Sequence, residues 1–200
     1  MIDDRAVHLA AAEVAFIKVL SSAPRHALAH AYLGVVYMHT NRAAQGIAEC
    51  ERALALNPNL AAAHGFISFA KILSGRAEET EAHVNEALRL SPRDERAYLW
   101  MEYVGGAKLH LGADEEAARW LQRSIEANRN FSVTHLFLAA AFAHLGRLAG
   151  ARSAVQAGLP LAPGFTITRF RGGAESDNPV FLKQRERICE GMRLAGVPEG

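Results

Sequence analysis

An even spacing between recurring prolines constrains the fold more than any other feature of this sequence. Pro24, Pro58 and Pro92 are equally spaced, and Pro163 follows Pro92 after two more periods and a short insertion. A second series consists of residues suited to tight turns and keeps the same period, except for one slightly longer step: Asn41, Gly75, Gly112 and Gly146. A period of roughly 34 residues is typical of stacked helix pairs, in which each pair buries its apolar face against its neighbours.

The composition indicates an all-helical chain with a sizeable core. Half of the 200 residues are hydrophobic and 22% are charged, which is not the composition of a disordered chain. Alanine, the strongest helix former, is abundant, whereas runs of β-branched residues are almost absent. Because the net charge is +1 and no basic block stands out, neither nucleic acid nor membrane is an expected partner.

The N-terminal residues and the cysteines predict a cytoplasmic location. The first five residues are acidic where a signal peptide would be basic, and no run of about 20 apolar residues could span a membrane. Cys50 and Cys189 lie far apart and lack the spacing of a metal or redox motif. Unpaired cysteines of this kind fit a reducing, intracellular compartment.

The stretch Leu28–Pro58 is the best-preserved copy of the repeating unit. Its matching residues are Leu33, Gly34, Tyr37, Ala53 and Pro58. At this spacing they resemble the motif of the tetratricopeptide repeat family. This copy departs from the family pattern at three packing positions, where a Trp, an Ala and an aromatic residue are replaced by His30, Gly46 and Cys50.

The resemblance implies an all-α fold, a right-handed α-solenoid of tetratricopeptide helix pairs. We predict four repeats, which span residues 27–60, 61–94, 98–131 and 132–165. Residues 1–26 form an N-terminal half-repeat helix that Asp3 or Asp4 can cap. Residues 166–200 form an irregular loop and a C-terminal capping helix, because a terminal repeat needs one polar face.

Local signals define the C-terminal helix further. The run Ser-Asp-Asn before Pro179 predicts a capped start with proline at the first helical position, and Gly196 predicts the end after Ala195. The tail beyond the helix is expected to fray.

In the tetratricopeptide family the first helix of each pair lines a concave groove, and the resemblance implies the same here. The candidate partner-binding residues are Leu28, Tyr32, Val35, His39, Phe66, Phe69, Leu73, Tyr103, His110, Phe137 and His144. This apolar and aromatic set suits a protein or peptide partner such as an amphipathic helix, a second copy of the chain, or its own tail. The alternative is that tight curvature, or the C-terminal helix folding back, covers these residues.

No catalytic, cofactor or metal site is predicted. The sequence lacks a nucleophile elbow, a phosphate-binding loop and a zinc-protease motif. His39, His110 and His144 share one repeat position, but neighbouring repeats lie about 10 Å apart. That spacing is too large for ligands that each sit about 2 Å from one ion.

The C-terminal tail resembles the end of a bacterial architecture in which a class III adenylate or guanylate cyclase domain, or a winged-helix domain, precedes a tetratricopeptide array. The matching residues are Pro179, Phe181, Leu182, Gln184, Arg185, Gly191, Met192, Arg193 and Ala195 to Glu199. This resemblance implies a non-catalytic regulatory or partner-binding region of a cytoplasmic signalling protein. One alternative is a freestanding homodimer that uses its groove or N-terminal helix. An enzyme or a metal-binding protein is a third alternative.

Overall fold

The computed structural model describes residues 4–200, with side chains from Arg5 onward. Residues 1–3, which include the candidate cap Asp3, lie outside the described residues. The described chain contains helices and turns, and no β-strand occurs within residues 4–200. It forms two compact units, one ending at Pro92 and one beginning at Arg93.

Consecutive helices of the first unit pack in pairs. The helices are α1 (Asp4–Ser22), α2 (Ala27–Met38), α3 (Ala43–Leu56), α4 (Ala61–Leu73) and α5 (Thr80–Leu90), with a 3₁₀ turn at Ala77–Glu79. The closest pairs are α2 with α3 and α4 with α5, while α1 packs on α2. Their shared core is made of small and medium residues, among which Met38, Cys50 and Val84 are fully buried.

The second unit repeats this pairing and adds a C-terminal segment. Its helices are α6 (Ala97–His110), α7 (Asp114–Ala127), α8 (Ser132–His144), α9 (Leu148–Gly158), α10 (Ile167–Gly172) and α11 (Pro179–Ala195), with a 3₁₀ turn at Leu159–Leu161. The pairs are α6 with α7 and α8 with α9, and α11 packs mainly on α8. Trp100, Leu109 and Leu121 are fully buried in this unit.

The turn inside each helix pair has one conformation throughout. The φ angles of the turn residues are 58° at Asn41, 72° at Gly75, 76° at Gly112 and 71° at Gly146. Glycine and asparagine adopt this left-handed region at low cost. In the first turn the Arg42 N–H donates to the Tyr37 carbonyl over 2.8 Å, and the same bond recurs in the other three. It satisfies a carbonyl left open at the helix end.

Small residues set the distance between paired helices. A Cβ on Gly34 would lie 2.8 Å from the carbonyl oxygen of Gly46, and one on Gly105 would lie 2.5 Å from Cγ of Leu121. A larger residue at either glycine would force the two helices apart.

The C-terminal segment differs from two sequence-based expectations. The expected loop contains α10, because the Thr166 hydroxyl accepts from the Arg169 N–H and caps a short helix. The tail does not fray, since the backbone N–H of Ile167 donates to the Pro198 carbonyl at 2.9 Å and Val197 is 5% exposed. The predicted helix α11 is confirmed, with Asn178 as its cap and Gly196 left-handed at its end.

Candidate partner-binding surfaces

A row of aromatic rings crosses three helices of the first unit. Phe16 of α1 stacks on Tyr32 of α2 with ring centroids 5.9 Å apart, and Tyr32 meets Phe66 of α4 at 5.6 Å. Beside this row, the rings of His39 and Phe69 lie 5.7 Å apart. We call these five residues the aromatic face.

The predicted contact residues of the first unit differ in exposure. Leu28 is 39% exposed, and Tyr32, Val35, His39 and Phe69 are partly exposed. Phe66 and Leu73 are buried, so they form the floor beneath the exposed rings. The accessible part of the aromatic face is therefore formed by Phe16, Tyr32, His39 and Phe69, with the floor residues beneath them.

Polar groups link α1 to the turn between α2 and α3, at one end of the aromatic face. The Arg42 guanidinium donates to both carboxylate oxygens of Glu13, over 2.9 and 2.5 Å, and lies 4.4 Å from the centre of the Tyr37 ring. The hydrogen bond from Arg42 lowers the pKa of Glu13. Arg5 contacts Nδ1 of His39 at 3.2 Å. Arg42 and Glu13 neutralise each other, and the Arg5 guanidinium at His39 is a further charge beside the rings at this end.

In the second unit the chain's own C-terminal segment covers the corresponding residues. His110 stacks on Phe181 of α11 with centroids 5.5 Å apart, and Phe137 meets Phe170 of α10 edge-on at 5.8 Å. Nε2 of His144 donates to the Arg187 carbonyl at 2.9 Å. Tyr103, the fourth predicted residue here, is partly exposed, and burial raises the pKa of its hydroxyl.

Two features seat α11 against α6 and α8. A Cβ on Gly191 would lie 2.8 Å from Cβ of Ala140 and 2.9 Å from its carbonyl oxygen, so only glycine allows this approach. Arg187 donates to both carboxylate oxygens of Asp114 over 2.8 and 2.6 Å, and to the Leu109 carbonyl at 3.0 Å. Such bidentate pairs fix orientation as well as adding energy.

Residues 32–73 of the first unit and residues 103–144 of the second unit are equivalent, because they lie two repeats apart along the chain. Their differences explain why a helix packs on the second unit in the way that α11 does. Three residues recur in both: Tyr32 and Tyr103, His39 and His110, Phe66 and Phe137. Three others differ, with the larger or more apolar residue in the first unit: Val35 against Gly106, Phe69 against Ala140, Leu73 against His144. Ala140 is the residue that Gly191 of α11 approaches closely, and its equivalent in the first unit is Phe69. The larger Phe69 side chain would keep a helix from packing as closely on the first unit.

Several ionisable groups are buried, and none forms a catalytic arrangement within the described residues. Burial raises the pKa of the Glu102 carboxyl to about 8 and lowers the pKa of the His110 ring to about 4. Burial raises the pKa of the Cys50 thiol to about 12 and also raises that of Cys189. Since the thiolate is the nucleophile, neither cysteine is activated.

The described part of the chain has neither a metal-binding cluster nor a membrane-spanning helix. Across residues 4–200, no three His, Cys, Asp or Glu side chains come together in a way that could hold a metal ion. None of the helices in this range is long and apolar enough to cross a bilayer.

Comparisons with known proteins agree with the geometry. Residues 5–61 match the model of the Tetratricopeptide repeat family. PilW, a type IV pilus biogenesis factor, is similar in structure, with a TM-score of 0.73, 19% identity and coverage of 91% of this chain and 84% of PilW. The structure of Pseudomonas aeruginosa pilF is also similar, with a TM-score of 0.72 at 19% identity and coverage of 96% of this chain and 81% of pilF.

A third solved structure carries the family name. YrrB, described as a TPR protein with an unusual peptide-binding site, gives a TM-score of 0.60 at 20% identity, with 90% of this chain and 95% of YrrB covered. No curated protein matches the sequence. The predicted all-α class is confirmed, and these structures support its assignment to the α-solenoids of tetratricopeptide type.

Proposed function

We propose that this chain is a non-catalytic protein–protein interaction scaffold whose contact surface is the aromatic face of its first unit. The observation that carries the proposal is that the rings of Tyr32, His39 and Phe69 are partly exposed to solvent, whereas His110 and Phe137 of the second unit are buried against Phe181 of α11 and Phe170 of α10. Partly exposed aromatic rings with few charges around them are typical of protein-binding surfaces.

The chemistry of the aromatic face favours the apolar side of an amphipathic helix as its ligand. The second unit gives an example, because α11 presents Phe181, Ile188 and Met192 to its own repeats and charged residues to solvent. On the first unit, Phe69 and Val35 leave room only for a shallower contact. We therefore expect small side chains on the partner helix opposite Phe69.

Site-specific photo-crosslinking in the producing cell tests this surface. With p-benzoylphenylalanine placed at Tyr32 or at Phe69, we expect both positions to capture the same second protein, because both belong to one contact surface. Glu51, exposed on α3, is the control position. Capture from Tyr32 and Phe69 that is no greater than from Glu51 would contradict the proposal.

We further propose that the scaffold is a regulatory region of a cytoplasmic bacterial signalling protein. The support is the tail pattern that resembles the end of cyclase-linked arrays. Two of these tail residues, Phe181 and Gly191, contact the repeats where α11 packs, and Gly196 ends α11, so the pattern accompanies this helix and its packing. The reading frame upstream of Met1 is the test, and an in-frame stop there would count against it.

A homodimer is the second candidate, and the outer side of α1 is the observation that favours it. Val7, Val14 and Ile17 are 52%, 68% and 49% exposed, and Ala10 lies between them on the same side. Their spacing alternates between three and four positions, which makes one continuous apolar stripe on a helix. A helix that is apolar on both sides usually has a second partner.

Light scattering of the purified chain tests the homodimer. If the stripe on α1 joins two copies, Val14→Glu should convert dimer to monomer. The symmetric interface would bury the new carboxylate and bring it close to the same carboxylate of the second copy. Glu51→Lys, a charge change on α3, should leave the mass unchanged. A monomeric wild-type chain at working concentration would exclude this candidate and leave the scaffold proposal standing.

A further inference from the structure

A hollow of about 420 Å³ lies beside α10 in the second unit. Its wall is formed by the turn before α10, by α10 itself and by one arginine of α11. The lining residues are Ala162, Pro163, Gly164, Phe165, Arg169, Phe170, Gly173 and Arg185. The set contains two guanidinium groups and no acidic residue.

Arg185 is a part-buried cation that forms no ion pair within the described residues. Its guanidinium lies 3.7 Å from the ring centre of Phe170 and 5.5 Å from that of Phe181, and it donates to the Phe170 carbonyl at 2.7 Å. Its Nε is fully enclosed without a hydrogen-bond partner. Burial lowers the pKa of this arginine, and the carboxylates of Glu175 and Glu186 offset that effect only in part. A charge so placed is stabilised when a counter-ion joins it.

Arg169 brings a second guanidinium to the same hollow. It donates to the Gly164 carbonyl at 2.7 Å, and a Cβ on Gly164 would lie 2.7 Å from its Nη1. Among residues 4–200 it has no ion pair, whereas Arg171, two residues along α10, pairs with Glu186 at 2.8 Å. Both arginines that face the hollow are therefore without a carboxylate partner in the described chain.

We propose that this hollow binds a small organic carboxylate whose apolar group lies against Phe165 and Phe170. The planar guanidinium fork matches both oxygens of a carboxylate, which makes arginine the preferred residue for such ligands. Phe165 and Phe170, with ring centroids 5.9 Å apart, supply the apolar wall. Small-molecule sites typically have an apolar wall and a small number of polar groups that point to the same place. This site is independent of the scaffold function.

Titration of the isotope-labelled full chain with phenylacetate, followed by NMR at low ionic strength, tests the proposal. We expect saturable shifts at Phe165 and Phe170, and at least about tenfold weaker binding in Arg169→Met, because a charge-assisted hydrogen bond is lost. Arg171→Met removes the same charge from the same helix and should leave the affinity within about twofold.

Two further probes decide the ligand class. Benzyl alcohol keeps the ring without the charge, and inorganic phosphate keeps an anion without the ring; both should bind at least about tenfold more weakly than phenylacetate. Binding of benzyl alcohol equal to phenylacetate, equal binding of phosphate, or an unchanged affinity in Arg169→Met would each overturn the proposal. Arg185→Met should also lose binding, with tryptophan fluorescence confirming that the variant folds.

Discussion

Met192→Ala is expected to lower the free energy of unfolding of the second unit by about 2–5 kcal/mol, the range for truncating a large buried aliphatic side chain. Met192 is fully buried in the core where α11 meets the repeats, together with Leu136 and Ile188. The truncation leaves a cavity between helices that Arg187 and Asp114 hold in place. Because this framework limits collapse, we expect a value in the upper part of the range.

Tryptophan fluorescence during urea unfolding measures this effect in one unit. The chain has two tryptophans, Trp100 on α6 and Trp120 on α7, and both lie in the second unit. Leu194→Ala is the matched control, because Leu194 is on the same helix but 53% exposed. It should change stability by no more than about 0.5 kcal/mol. Equal effects of the two substitutions would mean that α11 is not packed as described.

The sequence predicted the elements that local chemistry determines. The turns at Asn41, Gly75, Gly112 and Gly146 follow from the need for a left-handed residue after a helix. The bounds of α11 follow from Asn178, Pro179 and Gly196, whose capping roles depend only on neighbours in the chain. Such signals are complete within a few residues, so periodicity and capping rules are enough to locate them.

The packing position of α11 was left open by the sequence, in which the C-terminal helix folding back over the groove residues was one of two alternatives. It depends on contacts between residues far apart in sequence, such as Gly191 with Ala140 and Arg187 with Asp114. The sequence carries a partial signal, since small residues at Gly106 and Ala140 replace Val35 and Phe69 of the other repeat pair. That signal indicates space on the second unit but does not decide whether the C-terminal helix fills it. The enclosed Nε of Arg185, which has no hydrogen-bond partner, is another consequence of this docking.

Glu102→Gln is expected to stabilise the second unit at alkaline pH by about 3–5 kcal/mol, as an order of magnitude. Glu102 is 6% exposed on α6, and no residue in 4–200 forms a hydrogen bond or ion pair with its carboxyl group. Burial raises its folded-state pKa from 4.5 to about 8. Below pH 4.5 the group is protonated in both states, so it costs nothing there.

The sign of the pH dependence follows from these two values. As pH rises above 4.5 the unfolded chain loses this proton while the folded chain keeps it, so stability falls until the pH passes about 8. Glutamine resembles the protonated acid and cannot ionise, so the stability of the variant does not fall with pH on account of residue 102. The buried His110 has the opposite pH dependence: its folded pKa is near 4, so stability falls as the pH drops below 6.5 and the unfolded chain takes up a proton. This loss of stability is the same in wild type and variant, so it does not affect their difference.

Urea unfolding of wild type and variant at pH 5 and pH 8.5, followed by tryptophan fluorescence, isolates the contribution of Glu102. The difference between the two proteins should be small at the lower pH and largest at the higher one. Glu126→Gln, an exposed position on α7, makes the same change in net charge and should give no such trend. A difference that is the same at both pH values would mean that burial does not raise the pKa of Glu102, because only a raised pKa makes the two proteins diverge as the unfolded chain ionises.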